Sequence, residues 1–372
     1  MLRLLLLALS LVLTPLSALA ADTLSVTDLA GRTVKVPAKV ERVILGEGRY
    51  VPVLAIFDRE DPLKRVVGQF GEFQRLDPAG YAQYLSRFPK LAKVPLIGNA
   101  SADTFSLEKA VSLSPQVAIF GLEGHGPSPS QGDVIAKLEA AGIAVIFIDF
   151  RQDPLVNTPR SIELLGKVLG QQKVAADFVG FYNEQMKRVT DRIAKAQKKP
   201  SVFIDNRVGL SEECCSTMVN GMMGRFVEWA GGTNLARDVV PGVHGTVSLE
   251  YLLTHQPDVY VGTAIGTAAT ATKSGHQIAL GAHVTPEVAR ASLKRATSRP
   301  GISALKAVKE GRAFGVWHHF YNSPFNVAAV QAFAKWLHPD LFADVDPEAT
   351  LRTLYSRFQP MELDGTYWIG LK

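Results

Sequence analysis

One stretch constrains the fold more than any other. From Lys173 to Ala196 apolar residues recur only at helical spacing, in the middle of a chain that elsewhere alternates strand-like and helix-like runs. Val174, Phe178, Phe181, Val189 and Ile193 fall mostly three or four residues apart, and Lys198-Lys199-Pro200 ends the run. Before it, Val43–Leu45, Val66–Val67, Val117–Phe120 and Val145–Ile148 read as buried strands, rich in β-branched residues. Gln131 to Ala141 reads as a helix stopped by Gly142. After it the rhythm restarts, with Val202–Ile204, Val259–Val261 and Phe314–Val316 as strands and Arg225–Ala230 and Val327–Leu337 as helices. A βαβ rhythm implies a parallel sheet with helices on its faces. The chain therefore reads as two α/β halves around a mid-chain helix.

The halves share an echo. Ser106-Leu107-Glu108 is followed by Pro115-Gln116-Val117, and Ser248-Leu249-Glu250 by Pro257-Asp258-Val259 at the same spacing. Each copy has local sense: Ser caps a short helix, Glu lies in its positive first turn, and Pro separates it from the next strand. A duplicated half accounts for both. The 372 residues suffice for two domain-sized cores. Lys and Arg exceed Asp and Glu by only 40 − 35 = 5, with no dense basic stripe, which argues against a nucleic-acid binder. Two cysteines make neither a disulfide scaffold nor a four-thiolate zinc site.

Residues 1–20 read as a secretory signal peptide: Arg3, an apolar run from Leu4 to Leu13, Pro15, and the small-residue end Ala18-Leu19-Ala20. The run is too short to span a bilayer, and no cysteine follows it for a lipid anchor. The expectation is an exported, soluble protein starting at Ala21, with no lipid anchor. Export removes access to ATP and nicotinamide cofactors. Gly46-Glu47-Gly48 after a strand is accordingly no dinucleotide fingerprint; Val51 stands where the third glycine belongs.

In doubly wound sheets ligands bind beyond the carboxyl ends of the strands. That rule selects Glu47–Tyr50, Gly121–Gly126, Asp149–Arg151, Asp205–Arg207, Gly262–Thr263 and Trp317–Tyr321. A cleft between two such lobes would carry Arg49, Arg151 and Arg207, the aromatics Tyr50, Trp317 and Tyr321, and His125, His318 and His319. Arginine forks suit carboxylate or catecholate oxygens, and aromatic faces cover planar or apolar surface. The alternative is that each arginine is solvated or paired with a neighbouring acid. The histidines lack the spacing of a zinc site, and adjacent His318 and His319 in a strand would point to opposite faces. Axial ligation of haem by a His or Tyr stays open. Cys214-Cys215 read equally as a vicinal disulfide or as buried thiols. No G-x-S-x-G, H-E-x-x-H or Walker A motif is present, so no enzyme is expected.

The chain resembles the periplasmic substrate-binding proteins of ABC importers for ferric siderophores, haem and cobalamin. The carrying segments are Val26–Val34 with Pro37, Ser106–Val117, Ala230–Asn234, Ser248–Val259, Ala307–Arg312 and Leu337–Pro339. The resemblance implies two Rossmann-like lobes with parallel sheets joined by a single long α-helix, the class III type, with limited hinge motion. It implies boundaries at 21–170 for the first lobe, 171–198 for the connecting helix and 199–372 for the second lobe. It further implies a monomer that hands its ligand to an inner-membrane permease, which Glu108 and Glu250 dock. The ligand it implies is a small-molecule metal chelate: a ferric siderophore whose iron is held by the chelator and not by protein side chains, with haem or cobalamin as the alternative.

Overall fold

The structure is a computed structural model. It describes residues 22–210, 214–271 and 275–372, so the leader read at 1–20 lies outside the described residues. The described chain opens with an antiparallel hairpin, β1 (Thr23–Thr27) and β2 (Thr33–Pro37). Buried Asp28 closes its turn by accepting the Ala30 and Arg32 N–H groups. This hairpin is absent from the strand pattern read above, because only every second residue is apolar and the run is short.

Five strands follow: β3 (Val43–Leu45), β4 (Val66–Phe70), β5 (Leu96–Gly98), β6 (Val117–Gly121) and β7 (Ala144–Ile148). All pair in parallel, in the order β5-β4-β3-β6-β7. The β3 and β6 residues are buried throughout, as strands covered by helices on both faces must be. Strand order reverses between β3 and β6, so the binding crevice of this sheet lies beyond those two strand ends.

The predicted mid-chain helix spans Gln172–Ile193. Its buried stripe is Ala175, Phe178, Val179, Tyr182, Gln185, Met186 and Val189, a strict three- and four-residue recurrence. Phe178 meets Phe358 at 5.0 Å between ring centroids and Phe325 at 6.4 Å. One contiguous core thus runs from the first sheet through this helix into the second half.

The second half contains β8 (Ser201–Asp205), β9 (Ser216–Met218), β10 (Thr233–Asn234), β11 (His244–Thr246), β12 (Val259–Ala264), β13 (Ala313–Trp317) and β14 (Trp368–Gly370). Its main sheet has the order β10-β8-β12-β13-β14, parallel except for the β14 edge; β9 and β11 form a separate antiparallel ribbon. Here the order reverses between β8 and β12. The architecture is α/β, two lobes with parallel sheets joined by a long helix. No helix among the described residues is long and apolar enough to cross a membrane.

Both copies of the echo form capped helices. Ser106 Oγ accepts from the Lys109 N–H at 3.3 Å, and Ser248 Oγ from the Tyr251 N–H at 3.0 Å. Those helices, Leu107–Ser112 and Leu249–His255, expose Glu108 and Glu250 in their first turns.

Candidate functional site

Glycines shape the first crevice. A Cβ on Gly46, just past β3, would lie 2.6 Å from the Phe120 ring. A Cβ on Gly124 in the loop after β6 would lie 2.2 Å from Glu47 Oε1. The loop can close over Glu47 only because those positions lack side chains.

Glu47 is fully buried and forms the centre of a polar cluster at the lobe interface. Its Oε1 accepts from Arg151 Nη2 at 2.7 Å, and its Oε2 from Arg49 Nη2 at 2.8 Å and Asn322 Nδ2 at 2.6 Å. Arg49 Nη1 donates to the Tyr321 hydroxyl and to His319 Nδ1, both at 3.1 Å. Tyr321 presents its ring to both guanidiniums, at 5.0 Å from Arg151 and 5.8 Å from Arg49. Glu72 accepts the Gly48 and Arg49 N–H groups, each at 3.0 Å. Glu47, Arg49, Glu72 and Arg151 come from the first lobe; His319, Tyr321 and Asn322 come from the second.

The second-lobe residues sit on a tight 3-10 turn, His318–Asn322, directly after β13. This corrects the strand geometry assumed for the histidine pair: both imidazoles are buried in the interface, with ring centroids 5.3 Å apart. A guanidinium only donates, so His319 Nδ1 is an acceptor and its Nε2–H donates to the Leu76 carbonyl at 2.9 Å. Both nitrogens are then spent on the first lobe. Burial, then Arg49, holds His319 down at about 3, and burial with His319 and the surrounding arginines takes His318 well below 6.5. His318 Nδ1 lies 3.1 Å from Thr263 Oγ1, and its Nε2 makes no hydrogen bond to a described residue.

Charge at the cluster is nearly balanced. Against the cost of burial, Arg151 and Arg49 hold Glu47 down at about 2, so it is ionised at any working pH. Burial, then the Glu47 carboxylate, pushes Glu72 up to about 7. Burial opposes ionisation of Tyr321, yet Arg151 and Arg49 bring its hydroxyl below the usual tyrosine value. Arg151 Nε is buried without an acceptor, Arg49 Nε lies 3.6 Å from Glu72 Oε1, too far for a hydrogen bond, and Arg151 makes one side-chain hydrogen bond among the described residues. The cluster holds more donors than its own acids satisfy.

The remaining sequence-selected residues are distributed around this centre. Tyr50 is buried beneath it, edge-on to Phe150 at 6.2 Å. His125 is half-buried on the covering loop, with Nδ1 2.6 Å from the Ala100 carbonyl. Trp317 packs edge-on against His319 and Phe320, each at 5.2 Å. Arg207 does not join the other two arginines: it is exposed at the end of β8, at φ 53°, with its backbone N–H on Thr263 Oγ1. For Arg49 and Arg151 the pairing alternative holds, with Glu47 as the shared partner. Beside the cluster lies a cavity of about 50 Å³ walled by Phe73, Asp77, Tyr84, Trp317 and Tyr367. Burial pushes Asp77 up to about 6.

Sequence reasoning missed Glu47, Glu72 and Asn322. Glu47 was within reach, since it shares the β3-end segment with Arg49. Glu72 and Asn322 carried no signal of their own. Cys214 and Cys215 are joined as a vicinal disulfide, of the two readings left open.

No protein-family model and no curated protein matches the chain. Solved structures do. The TroA-like periplasmic binding protein FepB from Veillonella parvula is 29% identical, covering 94% of this chain and 99% of its own, with a TM-score of 0.82. Over nearly its whole length the chain is similar in sequence and in fold to this TroA-like periplasmic binding protein. The molybdate periplasmic binding protein MolA of Haemophilus influenzae shares the fold at 19% identity, 92% and 99% coverage and a TM-score of 0.68. An ABC-type Fe3+-hydroxamate transport protein from Saccharomonospora viridis shares it at 20% identity, 85% and 99% coverage and a TM-score of 0.55. In this chain the Glu47 cluster lies between the two lobes.

Proposed function

We propose that this substrate-binding protein captures an anionic metal chelate, a ferric siderophore, between its lobes and delivers it to an inner-membrane permease. The observation that carries the reading is the pair of buried guanidiniums, Arg49 and Arg151, converging on one carboxylate while keeping donors in excess. Carboxylate or catecholate oxygens of a chelate would take those donors, and Tyr321 and Trp317 would cover its planar surface. The iron stays with its chelator. Among the described residues no group of three or more His, Cys, Asp and Glu side chains is placed to hold a metal ion. The ligand pocket is completed by Tyr50, His125, His318 and His319 around the arginines, with Arg207 at the rim.

Glu108 and Glu250 dock the permease in this reading. Each stands exposed in the first turn of a helix that leads back into a parallel strand. Such crossover helices run against the strands, so both first turns lie on the side of the strands' carboxyl ends, where the cleft opens. The residues at 21–170 form the first lobe, 171–198 the connector and 199–372 the second lobe. A second reading, haem, is favoured by one feature: His318 Nε2 is an imidazole nitrogen in the interface with no described partner.

Native mass spectrometry of protein purified from its own periplasm tests the ligand class. A co-purifying ferric chelate supports the siderophore reading; haem in its place supports His318 as axial ligand and refutes the first. Reversing charge at Glu108 and Glu250 should abolish uptake and leave ligand affinity intact. Unchanged uptake would remove the docking role.

A further inference from the structure

Among the described residues Glu47 is the one acid whose carboxylate pairs with both cleft arginines, and it also reaches across the lobe interface. Two of its three partners, Arg49 and Arg151, are on its own lobe; the third, Asn322, is on the other. Glu47 is itself fully buried under a loop in which a Cβ on Gly124 would lie 2.2 Å from its Oε1. A carboxylate in a two-arginine fork is chemically the same contact that a carboxylate or catecholate ligand would make. The protein thus already contains the anion its site is built to recognise.

We infer that Glu47 is a resident counter-ion that latches the lobes through Asn322 and that an incoming anionic ligand must displace from the Arg49 and Arg151 forks, so that it sets the charge a ligand needs in order to bind. The inference rests on the reading of the cleft as a chelate site and adds a rule of selection to it. A neutral chelate gains nothing by replacing Glu47, because it would leave two buried guanidiniums without a counter-charge. A strongly anionic chelate replaces one carboxylate by several charged oxygens, which can also take up the donor that Glu47 leaves without a partner, Arg151 Nε. The other groups facing the carboxylate do not substitute for it. Tyr321 and Asn322 are neutral partners, His125 is held below its ordinary value by burial, and Glu72 is tied to the Gly48 and Arg49 N–H groups. Displacing Glu47 releases Asn322 as well, which couples ligand entry to loosening of the Asn322 end of the His318–Asn322 turn, while His319 and Tyr321 keep their bonds to Arg49 and Leu76.

Glu47→Gln and Asn322→Ala test this in the full-length mature protein. The probes are a strongly anionic ferric tris-catecholate and a neutral ferric trihydroxamate, with hydrogen exchange across the His318–Asn322 turn as the readout of the latch. Glu47→Gln should bind the tris-catecholate about tenfold tighter or more, leave trihydroxamate affinity unchanged, and speed exchange in the turn. Asn322→Ala removes only the second-lobe donor and leaves the Glu47 charge in place, so it should speed exchange without shifting the preference between the two chelates. It also guards against a Glu47→Gln protein that fails to fold. Unchanged exchange in both variants, or equal tightening toward the neutral and the anionic chelate, would overturn the inference. If no ferric chelate binds wild type or variant while exchange still accelerates, the siderophore reading falls and the latch stands.

Discussion

Replacing Glu72 by glutamine should change how stability depends on pH, in a direction the structure fixes. Burial and the Glu47 carboxylate raise the folded Glu72 to about 7 from an ordinary 4.5. Between those two values the folded protein keeps a proton that the unfolded chain has released, so this group lowers stability progressively as pH rises through the window. At about 1.4 kcal/mol per pH unit for one proton, the window from 4.5 to about 7 amounts to about 3 kcal/mol. Above it the loss is constant. The buried imidazoles act oppositely, since His319 is held at about 3 and the unfolded chain binds its proton below 6.5. The raw wild-type curve therefore mixes both, and only the difference between variant and wild type isolates Glu72. Glutamine offers one carbonyl to the Gly48 and Arg49 N–H groups that the carboxylate shares, a cost of about 1–3 kcal/mol that does not vary with pH. Urea unfolding of both proteins at intervals from pH 4.5 to 8.5 would measure the difference. The variant should gain on wild type by about 3 kcal/mol across the range. Parallel curves would refute the assignment of a protonated Glu72 in the fold.

Other perturbations have equally definite outcomes. His319→Gln keeps an acceptor for Arg49 and a donor for the Leu76 carbonyl, so it should flatten the loss of stability as pH falls below 6.5, read by thermal unfolding. Ser106→Ala and Ser248→Ala should each cost about 1 kcal/mol in chemical denaturation, the usual worth of an N-cap. Phe178→Ala, at the aromatic junction of connector and second half, should cost about 3–5 kcal/mol and unfold both halves in one transition, as a single shared core requires.

Much of the fold was legible because its signals are local. Val43–Leu45 is a strand with the predicted bounds, and β6, β7, β8, β12 and β13 differ from the reading by one to three residues at an end. Fully apolar β-branched runs have few other places to go in a globular protein. The connector was legible from its period, although Tyr182 and Met186, both in its buried stripe, were not singled out. The site was legible only in part. Strand-end reasoning found Arg49, Arg151 and the Trp317–Tyr321 turn, since topology decides where strand ends meet. It could not show that Glu47 would turn inward to take both arginines, because that depends on glycines at 46 and 124 clearing space for it. Glu72 and Asn322 reach the cluster from 24 and 275 residues away from their partners in sequence, and nothing local marks them. Arg207 shows the opposite failure: it stands at a strand end, yet its left-handed backbone and exposure keep it out of the cluster.

The role proposed for Arg49 and Arg151 is to receive an anionic metal chelate between the lobes. Equilibrium titration of tryptophan fluorescence, with Trp317 at the cleft as reporter, tests it most directly when wild type and Arg151→Ala are compared with a ferric tris-catecholate, haem and cobalamin. Wild type should be quenched by the ferric chelate, and the variant should bind it about thirtyfold more weakly, the worth of about 2 kcal/mol for a charge-assisted contact. Quenching by haem or cobalamin alone, or equal affinity of the two proteins for the ferric chelate, would contradict it.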